Sequence, residues 1–186
     1  MLLNGVRTAA ILRAERPGGK EGKRTMAHSM RESMHLISDP RNLDACVDEV
    51  FDLMLGVNCV RDAGPLQLEA ESVTAVVGFG GVLSGACVFR SSGAAAITIA
   101  ARMTGMEFAE VDDTVKDAIG EVCNMLAGSW KSKVPDLSAN CGLSVPAVIT
   151  GSNYHLHVQA PEFRLCHEYS FEDACFDVTI LCDGLQ

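Results

Sequence analysis

The chain has 186 residues, 48% of them hydrophobic, enough to bury the core of one ordinary domain. Its 15 Lys+Arg are outnumbered by 24 Asp+Glu, and the imbalance is uneven: residues 1–35 carry +4 and the rest −13. So acidic a body excludes a nucleic-acid surface, which needs a basic patch to neutralise phosphates, and no apolar run approaches the ~20 residues of a membrane span.

The basic segment 1–35 contains Pro17-Gly18-Gly19, scattered charge and little periodicity. It is expected to be a disordered extension ahead of a single domain over 36–186, with Met26 and Met30 as alternative starts. TAAIL is too short for the apolar region of a signal peptide, and no small-residue cleavage site follows, so a cytoplasmic protein is expected. The eight cysteines (46, 59, 87, 123, 141, 166, 175 and 182) are scattered through apolar runs and form no C-x-x-C. They read as free thiols in a reducing compartment, where cysteine behaves as a small hydrophobe.

From there the elements follow in order. Asp39 before Pro40 supplies an N-cap and a first-turn proline for a helix over 40–55, which Gly56 closes. Runs rich in β-formers at 73–79 and 82–89 flank Gly80-Gly81, a hairpin signal. The spacing Gly78-x-Gly80-Gly81-x3-Gly85 has the look of a dinucleotide loop, but Leu83 stands at the third glycine position and a strand follows, so the hairpin is preferred. Residues 93–104 form an Ala/Ile-rich helix ending at Gly105, and 113–135 form a second long one. Strands are predicted over 137–145, 154–159, 163–171 and 175–182, with the alternation of a sheet covered on one face. Helices and hairpins in blocks predict an α+β fold, a largely antiparallel β-sheet packed with long helices. His155 and His157 share a strand face with His167 or Cys166 in reach, but no carboxylate or thiol spacing supports them as metal ligands, and no metal site is assigned.

The helix over 113–135 carries more than folding requires. At 100° per residue, Val115, Ile119, Val122, Leu126 and Trp130 form the stripe that buries it, while Asp117, Glu121, Asn124 and Gly128 fall within about 60° of one another on the opposite face. Glu121 and Asn124, three apart, emerge side by side and can address one object. Gly120 and Gly128 lie on or beside this stripe, each costing roughly 1 kcal/mol relative to alanine in a helix. Without a Cβ they would let another macromolecule approach the backbone closely. A glutamate and an asparagine on an ordinary solvated face would give the same spacing, so the stripe alone does not decide. Cys123 lies about 100° from Asn124 around the helix and reads as packed rather than nucleophilic.

Asp117-x3-Glu121-x2-Asn124, followed by Pro146, resembles the signature of the CheC/CheX/FliY chemotaxis phosphatases. GEVCNMLAGSWKSKV (120–134) is similar to their GE-x-x-N-x-x-x-G-x-x-K segment, VDEVFDLMLGVNC (47–59) to a CheX-type first helix, and 76–108 to their hairpin and second helix. The resemblance runs from about residue 40 to about 160. CheC-type members carry two E-x-x-N copies; here the first helix offers Glu49-x2-Asp52, and an aspartate lacks the amide donor and adds negative charge beside a phosphoryl group. One working copy is the CheX arrangement. The resemblance implies hydrolysis of the aspartyl-phosphate of a CheY-like response-regulator receiver, with Glu121 and Asn124 catalytic and Asp117, Gly120, Gly128 and Pro146 meeting the partner. It implies no cofactor or metal bound by this chain, Mg²⁺ being brought by the receiver, and a homodimer formed through sheet edges, for which the uncharged TILC (179–182) is the expected edge. The alternative it leaves is a non-catalytic docking module binding receivers or flagellar-switch proteins.

Overall fold

Residues 35–61, 71–152, 154, 156 and 161–185 are described by the structure, a computed structural model. Apart from His35, the expected extension over 1–35 lies outside the described residues, as do His155 and His157. A helical turn at 35–38 leads into α1 (Pro40–Leu55), whose N-cap Asp39 accepts the Arg41 N–H at 3.0 Å. Gly56 ends it in the left-handed region, φ 64°, returning its N–H to the Asp52 carbonyl. Next come β1 (Val60–Arg61), β2 (Ser72–Gly81), β3 (Leu83–Ser92), α2 (Gly93–Thr104) and α3 (Asp113–Ser132). The chain closes with α4 (Pro135–Asn140), β4 (Cys141–Leu143), β5 (Ala147–Gly151), β6 (Phe163–Phe171) and β7 (Ala174–Leu185).

All strand pairs are antiparallel, in the order β1-β6-β7-β3-β2-β4, with β5 also on β2. The α+β expectation holds, and the hairpin and α2 fall where the sequence put them. β7 corrects the expected dimer edge: it pairs with β3 on one side and β6 on the other, so Thr179–Cys182 is interior and has no free ladder to offer. Its lack of charge reflects burial between two neighbours, not an unprotected edge.

Three further differences have local causes. α3 stops at Ser132 because Pro135 cannot continue it, and Pro135 instead opens α4 at a position where its missing N–H costs nothing. Hence the strand expected over 137–145 is half helix, with only Cys141–Leu143 extended. β5 was not foreseen, since five residues at a sheet edge show little alternation, and the described residues Tyr154 and Leu156 of the predicted 154–159 strand are not extended in a ladder.

The helices lie on one face of the sheet. Val115, Ile119, Val122, Leu126 and Trp130 of α3 are all buried, each such side chain contributing roughly 1.5–3 kcal/mol. Trp130 meets Phe79 at 5.2 Å between ring centroids, while Phe176 stacks on Phe51, Phe89 and Tyr169 at 4.6, 5.1 and 5.5 Å. The buried stripe and the Trp130–Phe79 contact fix the azimuth of α3 and thereby turn the opposite stripe outward.

Candidate functional site

On that outward face Asp117 and Glu121 are exposed and Asn124 is half-buried. Neither the Glu121 nor the Asn124 side chain forms a hydrogen bond or ion pair among the described residues, so a carboxylate and a carboxamide stand next to each other with their bonding capacity uncommitted. With Asp117 one turn away, the patch is negative and suited to a cation on a partner. The helix N-terminus is closed separately, Asp112 Oδ1 accepting the Val115 N–H at 2.9 Å.

Gly120, Asn124 and Gly128 make one i, i+4, i+8 row, and the two glycines differ in their surroundings. A Cβ on Gly120 would lie 3.3 Å from Pro146 Cβ and 3.4 Å from Val148 Cγ2; one on Gly128 would lie 4.0 Å from Leu143 Cδ1. Gly120 is buried, its space filled by this chain's own edge strand rather than left bare for a partner. Gly128 is partly open, and Pro146 is exposed on its outer side. With Leu143 at Gly128 and Pro146 at Gly120, the edge strand runs antiparallel to α3, and Ser144 and Val145 fall between the two contacts that flank Asn124 along the helix.

That edge strand is bulged. Phe79 pairs with Leu143 and Val76 with Ala147, so three steps along β2 correspond to four along β4–β5. The extra residue falls within 144–146, where Pro146 has no N–H to give the ladder. Ser144 repairs the interruption: its N–H donates to Gly78 O at 2.9 Å and its Oγ accepts the Gly78 N–H at 2.9 Å. Val145, next in line, is left 85% exposed. Sequence reasoning missed this residue; a proline inside an edge segment was the available signal.

Two other groups of the motif are already engaged. Lys131 donates to Cys141 O at 2.6 Å and Ser138 O at 3.3 Å, tying α4 and the start of β4 to α3. In the first helix, Glu49 accepts from Lys133 Nζ at 2.6 Å and Ser129 Oγ at 3.1 Å. Those bonds hold its carboxyl below the ordinary glutamate range and raise the Lys133 ammonium. Asp52 is exposed. The Glu49 copy is thus consumed in joining α1 to α3, while the Glu121 copy is free.

The histidine and cysteine clusters resolve into structure. His167 is buried, with Nδ1 2.8 Å from Asp44 Oδ1 and Nε2 3.2 Å from Arg61 Nη2; the same Asp44 oxygen accepts from Tyr169 at 2.8 Å. Because a guanidinium can only donate, Nε2 accepts and Nδ1 carries the proton toward Asp44. Cys166 lies on the other face of β6, so it does not share a site with His167. Among the described residues no group of three or more His, Cys, Asp or Glu is placed to hold a metal ion. Cys123 is packed, its thiol donating toward Ala75 O and Cys87 O at 3.5 and 3.6 Å. No helix among the described residues is long and apolar enough to cross a membrane.

Residues 73–169 match the sequence family described as chemotaxis phosphatase CheX. Over 82 residues the chain is 32% identical to the CheY-P phosphatase CheX of Thermotoga maritima, a segment covering 44% of this chain and 53%, about half, of that relative. Its fold is similar to chemotaxis protein CheX from Vibrio vulnificus (TM-score 0.66, 17% identity, 78% of this chain and 98% of that one). It is also similar to the CheX of a CheX-CheY-BeF₃-Mg²⁺ complex from Borrelia burgdorferi (TM-score 0.61, 21% identity, 76% and 96%).

Proposed function

This chain belongs to the chemotaxis phosphatase CheX family, and from that premise we propose that it hydrolyses the aspartyl-phosphate of a CheY-like receiver domain. The observation that carries the proposal is the free, adjacent Glu121 and Asn124 on the exposed face of α3. A curated relative named a CheY-P phosphatase, 32% identical over its matched segment, supports the same reaction.

An acyl phosphate is already activated, and the receiver supplies its own Mg²⁺ and lysine, so the phosphatase has only to hold water in line and hold itself in register. The Asn124 carbonyl accepts from the attacking water while its NH₂ contacts a phosphoryl oxygen. Water oxygen bonds to phosphorus, the bond from phosphorus to the aspartyl oxygen breaks to free the aspartate carboxylate, and inorganic phosphate leaves carrying both of the water's protons. Glu121 pairs with the receiver's lysine. Asp117 borders the contact, as do Gly128 and the outer side of Pro146; Gly120 serves by seating Pro146. No group of this chain has to change protonation, and no metal held by it takes part.

The test is phosphate release from receivers charged with acetyl phosphate, with and without the protein. Accelerated release from at least one receiver is expected. Tight binding of a charged receiver with no acceleration would make the protein a docking module instead.

A further inference from the structure

We propose that Val145 is a docking residue that enters an apolar depression on the receiver next to its phosphorylation site; this rests on the receiver being the partner. At 85%, Val145 is the most exposed large apolar side chain among the described residues. Here the register slip between β4 and β5 pushes the chain outward, Ser144 pins one side of the bulge to both backbone groups of Gly78, and Pro146 pins the other onto Gly120. A bulge at a sheet edge re-aims a side chain, and this one leaves a valine exposed between the two strand–helix contacts that flank Asn124. The occupant is whatever meets Glu121 and Asn124, because Val145 adjoins Pro146, which packs on Gly120, next to Glu121 and one turn from Asn124. A rigid apolar knob beside two polar groups is the composition of an interface centre, where an anchor fills a pocket and the polar groups fix register.

The geometry also says which neighbour is not part of the contact. Ile149, four residues on, is 40% exposed but pairs with Thr74 on the sheet face turned away from the helices. It serves as the control.

Binding to CheY loaded with beryllofluoride and Mg²⁺ should be measured for the wild type, Val145→Ala, Val145→Asp and Ile149→Asp, alongside KM and kcat for phosphate release. Val145→Ala should weaken binding several-fold and Val145→Asp at least tenfold, the loss falling on KM more than on kcat, with thermal midpoints unchanged. Ile149→Asp should bind as the wild type does. Unaltered affinity in Val145→Asp, or equal loss in Ile149→Asp, overturns the proposal. A wild type that binds without releasing phosphate defeats the phosphatase assignment but leaves the role of Val145 measurable by affinity. A wild type that neither binds nor hydrolyses defeats both.

Discussion

Gly120 and Pro146 are in contact across α3 and the edge strand: a Cβ on the glycine would stand 3.3 Å from the proline Cβ, tighter than side chains ordinarily pack. The glycine therefore determines how closely the bulge approaches Asn124. Helix propensity alone favours Gly→Ala by roughly 1 kcal/mol, so the two glycines of the stripe should part company. Gly128→Ala, with only a 4.0 Å contact to meet, should gain up to about 1 kcal/mol in urea denaturation. Gly120→Ala should gain little or nothing, Gly120→Val should lose about 1–3 kcal/mol by overpacking, and both should slow phosphate release by moving Pro146. Equal stabilisation by alanine at both positions would show that the edge strand yields freely.

The thiols give a second prediction. Cys166 is exposed, Cys59 and Cys175 are half-buried, and the other five are buried. Burial pushes the Cys59 and Cys182 thiols up to about 12, far from the thiolate that reacts. Titration of the native protein with a thiol reagent near pH 8 should show one fast group, abolished by Cys166→Ser, then a slower one at Cys175. All eight should react once the chain is denatured. Several fast groups in the native state would contradict the burial of the core cysteines.

What the sequence disclosed depended on how local its causes are. The hairpin over β2–β3, α2 and the two faces of α3 follow from capping residues, glycines and period, all written within a dozen residues. β7's position in the middle of the sheet depends on which strands lie beside it, and no residue within Thr179–Cys182 says so. The same limit hid Val145, because a bulge is a relation between two strands. It also hid the neighbour of Gly120, whose lack of a Cβ answers to Pro146, 26 residues away in the chain. Glu49 is a case of a motif that looks alike in sequence and differs in company: Ser129 is supplied by α3 and Lys133 by its C-cap.

That pairing has a pH signature. Glu49 is held charged below its ordinary range by Lys133 first and Ser129 second, so its folded pKa is depressed. Its contribution to stability is complete above the unfolded value of about 4.3 and is lost as pH falls through the folded one. Lys133 is shifted up by Glu49, so its share is complete below about 10.4 and lost as pH rises past the folded value. Glu49 is exposed and Lys133 partly so, which limits the pair to about 1 kcal/mol or less and makes it weaken with salt. Glu49→Gln should flatten the acid limb of the thermal midpoint below about pH 5 and also remove the alkaline fall linked to Lys133. An identical acid limb in wild type and variant would show that Glu49 is not paired in solution.

The decisive comparison is between the two E-x-x-N-like helices. Asn124→Ala should reduce phosphate release on the order of 10²-fold or more, since removing the amide leaves the attacking water unpositioned, while affinity for a beryllofluoride-loaded receiver survives. Glu121→Ala should weaken affinity as well as turnover, because one partner of an intermolecular charge pair is removed. Asp117→Ala, at the border of the stripe, should cost less than either. Glu49→Ala and Asp52→Ala should change turnover little, since Glu49 is spent on Lys133 and Ser129 and aspartate has no amide to offer. Measuring kcat and receiver affinity for all five variants separates the roles. If Glu49 and Asp52 matter as much as Glu121 and Asn124, two sites act and the single-copy assignment is wrong; if none of the four alters hydrolysis, the face of α3 binds a partner without catalysing its dephosphorylation.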